Sequence, residues 1–103
     1  MYNADWKIED FRAWLTAMPE TAIVGTTSNS RLCPLARWRE ELGEKVAVDP
    51  GFVEVVGDDS SKTKLPDWAT IFVTEIDEYY LDDNGYSELP VAAYACLEVL
   101  PSS

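Results

Sequence analysis

The chain has 103 residues, 47% of them apolar, with eight Lys and Arg against 19 Asp and Glu, no His, and a formal net charge of −11. That charge excludes direct binding to nucleic acid or to an anionic membrane, since both need a positive footprint. Four Trp, five Tyr and three Phe exclude a disordered acidic tail, and the length predicts one compact domain over residues 1–103.

No apolar run approaches the ~18 residues of a membrane span. The N-terminus, Met1-Tyr-Asn-Ala-Asp5, lacks the basic and apolar regions of a signal peptide. Cys33 and Cys96 are too few for a disulfide framework. Two free thiols are the expectation and a single bridge is the alternative, which suits a cytoplasmic protein.

Taken in chain order, the first helix is predicted from Trp6 to about Met18, with Asp5 as N-cap. Ile8, Phe11, Leu15 and Met18 form its apolar stripe, Trp14 extends the stripe, and Pro19 ends the helix. Ala22-Ile23-Val24 reads as a strand before Gly25, and Thr26 to Ser30 as a polar loop. A second helix starts near Cys33-Pro34, with Pro34 at the first helical position, Leu35, Trp38 and Leu42 on one face, and Gly43 as its stop. Val46 and Val48, the turn Asp49-Pro50-Gly51, and Phe52 to Val56 predict a hairpin. Gly57 to Lys64 reads as a polar loop.

A third helix starts at Pro66–Asp67, with Trp68, Phe72, Ile76 and Tyr79 as its buried stripe, and ends at Asp83-Asn84-Gly85. Ser87 is the cap of a final helix running from about Pro90 to Val99. The predicted fold class is α+β in the order α-β-α-β-β-α-α: a small three-stranded, mainly antiparallel sheet with about four helices.

The charge is unevenly spread. After Lys64 there are eight acids (Asp67, Glu75, Asp77, Glu78, Asp82, Asp83, Glu88 and Glu98) and no base, whereas residues 1–64 hold eleven acids and all eight bases. Helical spacing puts Asp67, Glu75, Glu78 and Asp82 on one strip beside the core stripe of the third helix. The rise from Glu75 to Asp82 is about 10 Å, against ~3.4 Å between successive phosphates of a nucleic-acid strand. This line of carboxylates is therefore long enough to replace a few phosphates. It costs stability twice, through like charges three and four residues apart and through acids crowding a helix C-terminus, where the dipole favours cations. Tyr80 and Tyr86 are the aromatic interface candidates beside these acids, and Tyr79 and Tyr94 are expected at the core edge. The partner-binding residues predicted are Asp67, Glu75, Glu78, Asp82, Asp83, Tyr80, Tyr86 and Glu88.

Other chemistry is scarce. Without His there is no Ser-His or Cys-His nucleophile pair and no common zinc set. Cys33 at a helix N-terminus near Arg31 and Arg37 is either a reactive thiol or a small buried residue. Asp82 to Glu88 resembles a calcium loop, but an EF-hand aligned on Gly85 would need acids at Tyr80 and Val91. No Gly-rich phosphate loop occurs. No enzyme activity, cofactor or metal is expected.

Three segments, Phe11-x-x-Trp14-Leu15, Cys33-Pro34-Leu35-Ala36 and Leu65-Pro66-x-Trp68, are together similar to short uncharacterised proteins of bacterial genomes and mobile elements. The likeness spans residues 8–76 and implies no activity. In composition the chain resembles phage-encoded inhibitors of host defence, such as anti-CRISPR and anti-restriction proteins, many of which imitate DNA. That resemblance implies an inhibitor of a basic nucleic-acid-binding protein or complex. The alternative is an accessory interaction domain that is acidic only for solubility and binds through an apolar patch, with Trp6, Tyr2 or a sheet edge carrying affinity.

Overall fold

The computed structural model describes residues 4–80 and 88–101. Four α-helices and two small antiparallel sheets occur among them. The helix α1 spans Ile8–Thr16 and buries Ile8, Phe11 and Leu15 at 3-4 spacing. Its N-cap is Lys7, with no side-chain cap, so Asp5 does not take that position.

The strand β1, Ile23–Thr26, contains Gly25 instead of stopping before it. A Cβ at Gly25 would lie 2.6 Å from the Pro34 nitrogen and 2.7 Å from the Leu32 carbonyl oxygen, so the backbone entering the second helix packs directly on this glycine. That helix, α2, spans Pro34–Glu41, with Pro34 at its start and Cys33 as N-cap. Leu35 and Trp38 are buried, but Leu42 is 60% exposed. Leu42 is the C-cap, at φ −91° and ψ 7°, where the chain has left helical geometry and the residue no longer shares the helix face.

The hairpin forms as expected between β2 (Val46–Asp49) and β3 (Phe52–Val55), in the register Val46 opposite Val55 and Asp49 opposite Phe52. Gly51 takes φ +97° after Pro50, the Pro-Gly order of a type II turn. The segment expected as a polar loop carries structure: a 3-10 turn at Asp59–Ser61, and a short strand β4, Thr63–Lys64, that pairs with β3. Ser61 explains the difference. It is buried, accepts the Val55 N–H at 2.7 Å and donates to the Asp58 carbonyl at 2.6 Å, so hydroxyl bonds unreadable from polarity alone hold the loop against the sheet.

The third helix, α3, spans Asp67–Tyr79. Phe72 and Ile76 are buried with Ala69 and Val73, Trp68 is half-buried, and Tyr79 is exposed. The core stripe is thus rotated toward Ala69 and Val73. Trp68 lies at the rim, where its indole N–H donates to the Trp6 carbonyl at 3.0 Å.

The expected last helix is shorter than its apolar run. Pro90–Ala92 form β5, antiparallel to β1, and α4 covers Ala93–Val99. Two features commit residues 89–92 to the sheet. Thr27 and Leu89 exchange hydrogen bonds, N–H to carbonyl at 2.9 Å and N–H to Oγ1 at 3.0 Å, while the first amides of α4, Ala93 and Tyr94, donate to the Ala22 and Glu20 carbonyls. The expected single three-stranded sheet is therefore two sheets: β1 leaves the hairpin to pair with β5, and β4 takes its place in the order β2-β3-β4.

The core is centred on Phe11. Its ring stacks on Trp14 at 5.8 Å and meets Phe72 edge-on at 5.1 Å, with Trp38 and Trp68 also in contact. Trp6 packs edge-on against Trp38, and the Arg39 guanidinium lies over both rings while pairing with Glu44 at 2.6 Å. Val24, Leu35, Val53, Val91 and Cys96 complete the same cluster.

Candidate partner-binding face

The sequence of α3 divides its surface into two exposed borders around one buried stripe. With Ala69, Phe72, Val73 and Ile76 inward, 100° per residue puts Asp67, Ile71, Thr74, Glu75 and Glu78 on the outward arc and Thr70 and Asp77 on one shoulder. Asp67, Glu75 and Glu78 are exposed as expected. No Lys or Arg occurs in α3. Glu75 and Glu78 form no ion pair among the described residues.

The remaining predicted residues divide. Tyr80 is half-buried, and its hydroxyl accepts the Ala92 N–H at 3.3 Å, so it supports the start of α4 more than it offers a contact surface. Tyr79, expected at the core edge, is exposed, with its ring 5.1 Å from that of Tyr80; Tyr94 is exposed as well. Glu88 is exposed and accepts a hydrogen bond from the Asn29 side-chain amide. Asp82, Asp83 and Tyr86 lie outside the described residues, as does Tyr2. Trp6, the aromatic suggested for an apolar contact, is only 6% exposed and belongs to the core.

One loop gathers two acids of the C-terminal third. Ser28 donates its N–H to Asp77 Oδ1 at 3.3 Å, and the next residue, Asn29, reaches Glu88. The Asn29 carbonyl group of the side chain also accepts the N–H groups of Arg31 and Leu32, at 3.0 and 3.1 Å, which makes the loop a defined turn. Ser28 has φ +56°, a left-handed conformation uncommon outside Gly and Asn.

Between this loop, the hairpin turn and α3 lies a cleft of about 270 Å³. Asp49 and Asp77 supply its carboxylates, Val48, Pro50, Val73 and Ile76 its apolar walls, and Cys33 also lines it. Burial raises the Asp77 carboxyl above its ordinary value of 3.8, against the opposing pull of the Ser28 N–H. Burial pushes the Cys33 thiol up to about 12, outweighing the helix amides of Ala36 and Leu35, with Asp77 and Asp49 adding to the rise. The thiol is therefore protonated at neutral pH, contrary to an activated nucleophile. Cys96 is likewise pushed to about 12, again chiefly by burial. Both cysteines are free.

The cleft continues past Ser28, Pro50, Thr74 and Asp77. On the far side of the turn, a second depression is lined by Gly51, Phe52, Lys64, Asp67, Thr70 and Ile71. Phe52 and Ile71 are 46% and 48% exposed there. Sequence reasoning missed Asp49, Ser28, Phe52 and Ile71 as surface features. The one available signal was Ile71, an apolar residue on the polar arc of an amphipathic helix.

No described group of His, Cys, Asp and Glu is arranged to hold a metal ion, and no described helix is long and apolar enough to cross a membrane. No protein-family model, curated protein or solved structure matches the chain.

Proposed function

We propose that the chain is a non-catalytic binding protein that inhibits a basic nucleic-acid-binding protein by occupying its phosphate sites, in the manner of phage anti-defence inhibitors acting in the bacterial cytoplasm. The observation that carries this reading is α3, a base-free helix that exposes Asp67, Glu75 and Glu78 inside a segment with no positive charge after Lys64. Stability alone favours cations in the last turn of a helix, and this helix has none. The absence of His and the two buried, protonated thiols support the non-catalytic half of the reading.

Affinity built on exposed carboxylates is steered by charge and weakened by salt. Capture of the basic partner should fall steeply between low and high salt, and nucleic acid should compete with it. The double variant Glu75→Lys/Glu78→Lys should lose capture while remaining folded. Undiminished capture by that variant rejects the mimicry.

A second reading is favoured by Phe52 and Ile71, which share one depression at nearly half exposure each. On that reading the chain is an accessory interaction domain of a bacterium or mobile element and its acids serve solubility. Its complex would be insensitive to salt and lost on Ile71→Ser.

A further inference from the structure

We infer that the groove between α3 and the β2–β3 turn seats an extended segment of the basic partner, with one aliphatic or aromatic side chain on Phe52–Ile71 and one Arg or Lys between Asp49 and Asp77. The inference rests on the charge-based reading above and gives it an address. The two depressions flank the same turn: Pro50 and Asp77 line one, and Gly51 and Ile71 line the other.

Charge and shape select this occupant. The closed end carries two carboxylates and no cation among its lining residues. The cleft is not enclosed but runs on along α3 past Thr74, so it suits one side chain of a longer segment better than a free metabolite held in an enclosed pocket. Val48, Pro50, Val73 and Ile76 offer an apolar wall for the methylene stem of Arg or Lys, while the charged head meets the carboxylates. A guanidinium can take Asp77 without displacing the Ser28 N–H, because that bond uses only Oδ1 and an ionised carboxylate has a second oxygen. At the other end, Lys64 and Asp67 offset each other beside the exposed Phe52 and Ile71, and the surface there is suited to an apolar residue.

The helix sets the spacing. Six residues separate Ile71 from Asp77, a rise of about 9 Å, and about 100° per residue sets them about 120° apart around the axis, so their side chains lie about 11–13 Å apart. In an extended strand only residues an even number apart share a face, and four residues at ~3.3 Å each cover about 13 Å. The segment therefore carries its apolar and cationic residues four positions apart.

The probe is the capped heptapeptide Gly-Leu-Ser-Ser-Ser-Arg-Gly, with its reversed sequence to allow either direction, titrated into isotope-labelled full-length protein and followed by amide chemical shifts. One of the two should give saturable shifts at Ser28, Phe52, Thr74 and Asp77. Asp77→Asn, which keeps the side chain's shape and its acceptor for Ser28, should weaken binding about fivefold. Ile71→Ser should weaken it by a similar factor, and a peptide with norleucine in place of Arg should not saturate. Absence of saturable shifts with both peptides, equal binding of the norleucine peptide, or unchanged affinity in Asp77→Asn overturns the inference. These results are separable from the wider reading, which is tested by Glu75→Lys/Glu78→Lys on the outward arc. If partner capture needs those glutamates but neither peptide binds, the groove assignment alone fails.

Discussion

The backbone N–H of Ser28 donates to Asp77 Oδ1 at 3.3 Å across 49 positions of sequence. This contact fastens the β1–α2 loop to the shoulder of α3 and closes one end of the groove. It also sets two effects against each other on one carboxylate: burial raises the Asp77 pKa, the amide lowers it, and burial is the larger.

A pH dependence follows with a definite sign. The raised pKa means that, just above pH 3.8, native Asp77 still holds a proton that the unfolded chain has released. Stability attributable to Asp77 is therefore greatest at low pH and declines as pH rises through the raised value. Asp77→Asn lacks this dependence and keeps an acceptor for Ser28. Urea denaturation across about pH 3.5–7 should show the variant gaining on the wild type as pH rises, then levelling off. A variant that instead loses ground with rising pH would mean that the Ser28 bond to the ionised form outweighs burial.

Glu78 lies in the last turn of α3, which contains no base, three residues from Glu75. Glu78→Lys removes a like-charge neighbour and complements the helix dipole, so it should raise stability by about 0.3–1 kcal/mol. The same change should weaken capture of a basic partner and flatten its salt dependence. Opposite signs for stability and binding are what a functional acid requires. A gain in stability with unchanged binding would leave Glu78 a solubilising residue.

Much of this arrangement was legible in the sequence because it depends on periodicity and local chemistry. The Ile8, Phe11 and Leu15 stripe, Pro34 at the start of α2 and the Asp49-Pro50-Gly51 turn all form at the expected places. What was not legible depends on long-range pairing. Nothing local in Pro90-Val-Ala92 distinguishes a strand from the first turn of a helix; the distinction comes from Thr27 and Ala22, more than 60 residues earlier. The strand β4 is two residues long and forms because β3 has a free edge. The outward acids of α3 were readable from helical spacing, whereas the groove was not: Asp49 and Pro50 meet Asp77 only through tertiary packing.

The two thiols give a second pH effect, at the alkaline end. Each is pushed by burial from 9.0 to about 12. The native state retains those protons where the unfolded chain loses them, so their contribution to stability is intact below about pH 9 and is lost as pH rises toward 12. Alkylation by iodoacetamide at about pH 8 should be slow in the folded protein, limited by opening, and fast in urea. Rapid modification of Cys33 in the native state would contradict its burial and revive a reactive thiol.

Phe11 touches four other aromatic rings and is fully buried. Phe11→Ala should cost about 3–5 kcal/mol, because the lost transfer free energy is joined by a cavity that rigid rings cannot fill. That is a large part of the ~5–10 kcal/mol expected for a domain of this size. The urea midpoint should fall by about half with an unchanged slope. A loss below about 1 kcal/mol would mean that the three indoles and Phe72 repack freely.

Gly25 tests the contact that orients β1 against α2. A Cβ there would meet the Pro34 nitrogen at 2.6 Å, the Leu32 oxygen at 2.7 Å and the Cys33 carbonyl carbon at 2.9 Å, all backbone atoms that no side-chain rotation can move aside. The conflict arises from space alone, since Gly25 is not among the glycines with positive φ. Gly25→Ala should therefore force the strand and the helix entrance apart, with a cost of about 1–3 kcal/mol, as for overpacking elsewhere. Because Thr26 donates to the Leu32 carbonyl at 2.8 Å beside it, the Thr26 amide should exchange faster in the variant beyond the change in global stability. Gly43→Ala is the control: it has open space but φ +91°, so it should lose backbone stability without disturbing Thr26. If Gly25→Ala is neutral, or if both variants speed Thr26 exchange equally, then backbone contact at Gly25 does not hold β1 to α2.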